Sequence, residues 1–156
     1  MRVGIGYDIH RLAADRRLTL GGVAIEHPMG LVGHSDGDVL LHALMDALLG
    51  AANLGDLGRH FPSEDPAYAG ARSLELLRRV GGLVRGHGYS VGSLDATVIA
   101  QAPRLAPHVQ AMREAIAGAL GIGVDRVSVK ATTNDGLGTI GAGEAIAALA
   151  IAHLDQ

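Results

Sequence analysis

Cysteine is absent from the 156 residues, which excludes disulfide cross-links and thiolate metal sites and leaves His, Asp and Glu as the strong ligands for a transition metal. Aromatic rings are scarce, with one Phe, three Tyr and no Trp. Charge of one sign is lacking too: 13 basic side chains face 16 acidic ones, for a formal charge of -3. A surface that neutralises phosphates or stacks on bases is therefore not expected, and nucleic acid is excluded as a partner. No apolar run approaches the ~20 residues that span a bilayer, and Met1 leads into a strand-like pattern without the regions of a signal peptide. No membrane partner and a cytoplasmic location are expected. Charged residues amount to only 19%, against 48% hydrophobic, which is too apolar for disorder. A chain of this length buries roughly 70% of its unfolded surface in one core, so a single domain over residues 1–156 is expected.

Val3, Ile5, Tyr7 and Ile9 alternate with Gly4, Gly6, Asp8 and His10, the period of a half-buried strand, so Asp8 and His10 share a face. Gly21 and Gly22 divide two short apolar runs between Leu18 and Ile25, as a hairpin turn does. Ser35 followed by Asp38 reads as a capping box that opens a helix, in which Val39, Leu40, Leu41, Leu44 and Leu48 recur until Gly50. Gly55 to Gly70 holds Pro62 and Pro66 without periodicity and reads as a loop. A second helix is expected from about Arg72 to Arg85, a β-rich segment from Tyr89 to Ala100, and a helix through Val109, Met112, Ile116 and Leu120. A strand from Val127 to Thr132 and a last helix from about Gly143 to Leu154 complete the order. That order predicts an α/β (α+β) fold, a two-layer sandwich whose mixed sheet carries its helices mainly on one face. The other sheet face is left for water or another subunit.

A carboxylate and an imidazole two residues apart on one strand can grip a divalent ion, which makes Asp8 and His10 candidate ligands. His42 lies one helical turn after Asp38, with Asp46 a turn further, and is the candidate third ligand. The same residues also suit a surface pair and a hydrogen-bonded boundary histidine, so spacing alone leaves both readings open. His34, Ser35, Asp36, Gly37 and Asp38 place imidazole, hydroxyl and free N–H groups at a helix N-terminus, where an anion is favoured. Asp38 is expected, from its helix position, to orient a histidine ligand. Ala131 to Asp135 runs from a strand into Gly136, Gly138, Gly141 and Gly143, a second anion cradle or a plain glycine-rich turn.

Five segments in register, GYDIH at 6–10, HSDGDVLLHALMDALLGAANLGDLG at 34–58, FPSED at 61–65, IAQAPRL at 99–105 and VKATT at 129–133, give nearly the whole chain a likeness to one family. It resembles the 2-C-methyl-D-erythritol 2,4-cyclodiphosphate synthases of the non-mevalonate isoprenoid pathway. The resemblance implies cyclisation of 4-diphosphocytidyl-2-C-methyl-D-erythritol 2-phosphate, with release of CMP. It implies Zn²⁺ held by Asp8, His10 and His42, and a second ion, Mg²⁺ or Mn²⁺, bridging the substrate diphosphate, where the family's usual Glu is here Asp135. It assigns transition-state stabilisation to His34 and Thr133, and phosphate contacts to Ser35. Asp56, Leu57 and Gly58 with Phe61, Pro62, Ser63, Glu64 and Asp65 match the methylerythritol-phosphate and lid contacts. Ala100, Gln101, Ala102, Pro103, Arg104, Leu105 and Ala106 match the cytidine pocket, and Thr132, Asn134, Thr139 and Ala142 the diphosphate side. Family members often carry Phe and Arg where this chain has Thr139 and Ala142; the missing Arg removes a charged partner of phosphate. The implied assembly is a homotrimer with sites at subunit boundaries. Two other classes share these features: a non-catalytic trimeric protein that binds the nucleotide or an isoprenoid diphosphate, and a zinc hydrolase with a water nucleophile.

Overall fold

The alternating amino terminus forms β1 (Arg2–Ala14) in a computed structural model that describes Met1–Gln156. The hairpin expected around Gly21 and Gly22 is β2 (Leu18–Leu20) and β3 (Val23–Ile25), and a short β4 (Met29–Leu31) returns to pair with the end of β1. Helix α1 (Val39–Ala51) follows, capped by the Asp38 side chain, which accepts from Leu41 N–H. The cap is thus Asp38 and not the expected Ser35. The segment read as a loop contains a short α2 (Leu57–His60), capped by Asp56, and a 3-10 turn at Pro66–Tyr68 capped by Asp65. These elements are too brief to carry a hydrophobic period. Helix α3 (Ser73–Gly86), β5 (Ser90–Ile99), α4 (Val109–Leu120) and β6 (Val127–Thr132) lie close to their expected positions. A short α5 (Gly138–Gly141) precedes the last element.

That last element corrects the sequence reading: residues expected as a terminal helix form β7 (Ala145–Asp155). It is the middle strand of a mixed sheet of order β4-β1-β7-β5-β6, antiparallel to both β1 and β5, while β5 and β6 run parallel. Alanine's helix preference is overridden by tertiary packing. Ile146, Ala148, Ala150, Ala152 and Leu154 are buried on one face, and Leu149 and Ile151 alternate outward. Small residues are required there because α1 lies directly on the sheet. A Cβ on Gly4 would stand 2.1 Å from the Ala47 carbonyl oxygen, and one on Gly6 2.0 Å from that of Ala43.

Helices α1, α3 and α4 all cover one sheet face, giving the expected two layers around one cluster of 38 buried apolar residues. The apolar stripe of β1 is the exposed one. Val3, Ile5, Tyr7 and Ile9 face out with Leu149 and Ile151 of β7, while Gly4, Gly6, Asp8 and His10 face α1. No helix is long and apolar enough to cross a membrane.

Candidate functional site

The pleat of β1 aims Asp8 and His10 toward α1, and the second turn of α1 aims His42 back at them. Asp8 Oδ2 lies 2.8 Å from His10 Nε2 and 2.9 Å from His42 Nδ1, and the two ring nitrogens are 3.3 Å apart. Burial opposes ionisation of Asp8, but the hydrogen bonds and charges of His10 and His42 outweigh it and hold this carboxyl well below the usual carboxylate range. Asp8, in turn, raises the pKa of His10 by hydrogen bonding, against the opposing effect of burial. The far nitrogen of His10, Nδ1, sits 2.5 Å from the carbonyl oxygen of Val32. A carbonyl only accepts, so Nδ1 carries a proton, which leaves Nε2, beside Asp8, as the nitrogen available to an ion. His42 Nε2 meets two hydroxyls, Ser35 Oγ at 3.0 Å and Ser73 Oγ at 3.1 Å. One carboxylate and two imidazole donors, all within 4.8 Å of one another, fit a divalent cation and leave a position open for another ligand.

These residues open into a cleft of about 200 Å³ lined by His10, His34, Ser35, His42, Leu57, Gly58, Phe61, Ser63, Tyr68 and Leu76. The cleft therefore gathers much of the predicted set from four separate segments. His34 Nε2 is 3.4 Å from the carbonyl oxygen of Asp65. The Asp56 and Asp65 carboxylates accept from Arg59 N–H and Ala67 N–H. Pro62 and Glu64 do not line the cleft.

A second cleft, about 320 Å³, is lined by Ala100 to Ala106 with Ala131, Thr132 and Thr133. It joins the predicted cytidine loop to the predicted diphosphate strand. The two clefts share no lining residue. Asn134, Asp135, Thr139 and Ala142 line neither of them; Asp135, at φ 51°, accepts through Oδ1 from the Thr133 hydroxyl.

Asp38 departs from its expected role. Its carboxylate touches no histidine side chain and accepts instead from the N–H groups of Gly21, Gly22 and Leu41, tying the β2–β3 turn to the start of α1. The histidine-orienting groups are Val32, Ser35 and Ser73. Ser73 escaped the sequence reading because it is brought to His42 only by the docking of α3; Asp36 was read only as part of the helix N-terminus, and its grip on Ser73 comes from the same docking. Asp46 also has a structural role, since its Oδ1 accepts from Leu57 N–H at 2.7 Å and holds the start of α2 beside the cleft. Its position on the polar stripe of α1 was the available signal.

A model of the YgbB family matches residues 1–155. The 2-C-methyl-D-erythritol 2,4-cyclodiphosphate synthase of Trichlorobacter lovleyi is 60% identical over 154 residues, covering 99% of this chain and 98% of the relative. That of Ectopseudomonas mendocina is 61% identical over 154 residues with the same coverage. Among solved structures, the bifunctional IspDF of Campylobacter jejuni superposes with a TM-score of 0.95 at 44% identity, over 98% of this chain. The chain spans only 42% of that longer protein. A CDP-bound 2C-methyl-D-erythritol-2,4-cyclodiphosphate synthase gives 0.90 at 38% identity, covering 99% of this chain and 100% of the other. With likeness in sequence and backbone running from end to end, the chain belongs to the YgbB family.

Proposed function

We propose that this chain is a phosphorus-oxygen lyase that converts 4-diphosphocytidyl-2-C-methyl-D-erythritol 2-phosphate to 2-C-methyl-D-erythritol 2,4-cyclodiphosphate and CMP, in non-mevalonate isoprenoid precursor synthesis. The observation that carries this reading is the convergence of Asp8, His10 and His42 at one point of a cleft of about 200 Å³, in a chain about three-fifths identical to synthases of that name. An oxygen of the substrate's 2-phosphate attacks the β-phosphorus, and the bond from that phosphorus to the bridging oxygen breaks, with the electron pair leaving on CMP. No protein nucleophile is consumed. The protein folds the substrate so that the two groups meet, and it neutralises charge as it develops.

Asp8, His10 and His42 would hold the divalent ion, and their two-imidazole, one-carboxylate set suits zinc. Such an ion supplies Lewis-acid stabilisation of charge on the β-phosphate. His34 and Ser35 bind the phosphates beside it, and Leu57, Gly58, Phe61 and Ser63 enclose the methylerythritol part. In the second cleft, backbone groups from Ala100 to Ala106 read the cytosine edge, and Thr132 and Thr133 hold the diphosphate, with His34 and Thr133 stabilising the transition state. Asp135 would hold the second ion, Mg²⁺ or Mn²⁺, whose preference for carboxylate oxygen suits that side chain. Three copies assemble so that the cleft of one meets the nucleotide loop of the next. Two observations support this: the exposed apolar sheet face, and two clefts built from separate residues.

The test is incubation of purified protein with this substrate, with and without a chelator, followed by phosphorus NMR. Equal amounts of CMP and the cyclic diphosphate are expected, with both lost on chelation. CMP with an uncyclised product marks a hydrolase, and tight binding without CMP marks the non-catalytic class; either result overturns the reading.

A further inference from the structure

Helix α3 begins at the metal centre, and its first residue, Ser73, is fully buried. Ser73 is gripped twice by Asp36: its N–H donates to Oδ2 at 3.0 Å and its hydroxyl donates to Oδ1 at 2.5 Å. The second is in the range of a hydroxyl bonded to an ionised carboxylate. A serine hydroxyl has a single proton, and here it is committed to Asp36. Ser73 Oγ can therefore only accept from His42 Nε2, 3.1 Å away. Ser35 Oγ lies 3.0 Å from the same nitrogen and 3.3 Å from Ser73 Oγ; its proton can go to either, so it suits both tautomers of the ring.

The neutral His42 ring has two ways to place its proton. With the proton on Nδ1 it donates to Asp8 Oδ2 at 2.9 Å, and Nδ1 has no lone pair for an ion. With the proton on Nε2 it donates to Ser73, and the Nδ1 lone pair faces Asp8 and His10. We propose that Ser73 and Asp36 act as a pair of positioning residues that select the second tautomer and so prepare His42 to bind a metal ion. The inference rests on the metal-centre reading but not on which reaction the cleft performs.

Zn²⁺ affinity is measured by competition with a chromophoric chelator for the wild-type protein, Ser73→Ala, Asp36→Asn, the double variant and Ser35→Ala. Loss of a hydrogen-bond partner behind a histidine ligand weakens metal binding about 10- to 100-fold. Ser73→Ala and Asp36→Asn are each expected to show such a loss, the double variant no more than the larger single one, and Ser35→Ala a smaller one. Asp36→Asn keeps the Ser73 hydroxyl and changes which group faces it, since an NH₂ now meets either the Ser73 N–H or its Oγ, so it tests the pairing even where Ser73→Ala does not fold. Ring ¹⁵N shifts of His42 in ion-free protein at alkaline pH read the tautomer directly. The fraction protonated on Nε2 is expected to fall in both single variants. Affinity within twofold of wild type, fully additive losses or an unchanged tautomer would each overturn the proposal. A wild-type protein that binds no Zn²⁺ defeats the metal-centre reading instead, and the ¹⁵N result still decides the tautomer.

Discussion

Asp38 illustrates how one buried carboxylate organises the entrance to the site. It has no solvent exposure and no cation beside it, only three N–H donors, at 2.9 Å from Gly21, 2.7 Å from Gly22 and 3.1 Å from Leu41. Burial pushes its pKa up to about 6, against the pull of those hydrogen bonds, and Asp36 adds to the rise. Asn at this position retains one acceptor but turns its NH₂ toward an N–H, so Asp38→Asn is expected to lose about 1–3 kcal/mol of stability at neutral pH. In the unfolded chain the carboxyl ionises near pH ~3.9, and between that value and about 6 the folded protein binds more protons than the unfolded one. The stability this group contributes is therefore present below pH ~4 and is lost as pH rises toward 6. The gap between wild type and Asp38→Asn should narrow across that window, as denaturant midpoints of both proteins in ion-free buffer will show.

At the scale of elements, the site depends on how closely α1 lies on β1. Gly6 lets the strand pass the Ala43 carbonyl, which a Cβ would meet at 2.0 Å, and backbone cannot swing aside as a side-chain tip can. Gly6→Ala should force the strand off the helix, cost about 1–3 kcal/mol and weaken Zn²⁺ binding, because Asp8 and His10 follow on the same face. Gly50→Ala, where a Cβ meets nothing within 4 Å, should be neutral or stabilising by up to about 1 kcal/mol; thermal unfolding and chelator competition on both variants check the contrast. Legibility followed the same lines. The leucine spacing of α1 and the alternation of β1 were plain, so Asp8, His10 and His42 could be named as candidates. The strand β7 was missed although Leu149 and Ile151 alternate with buried alanines, because an alanine-rich run satisfies a helix as well until the sheet claims it.

For the whole molecule, the telling feature is the bare sheet face. Val3 and Ile5 are 62% and 67% exposed, and Tyr7, Ile9, Leu149 and Ile151 extend the patch. A continuous apolar surface of this kind is costly in water and is removed by association. Light scattering at micromolar concentration should return three times the 16.0 kDa chain mass. Ile5→Asp should shift the protein toward single chains while leaving its circular dichroism unchanged, since that side chain lies on the open sheet face, 67% exposed. A monomeric wild-type protein would remove the basis for a shared site.

The chain order of apolar and polar residues was enough to determine the fold class and most of the elements, because local periodicity is written along the sequence, and it made Asp8, His10 and His42 candidate ligands whose choice as a set came from the likeness of five motifs to one family. Which face of β1 stays open, why Asp38 serves a hairpin and not a histidine, and how Ser73 and Asp36 come to stand behind His42 were decided only by the tertiary structure. Each depends on packing between elements distant in the chain, where backbone clearance and the number of protons a hydroxyl can give choose among arrangements that the sequence pattern allows equally.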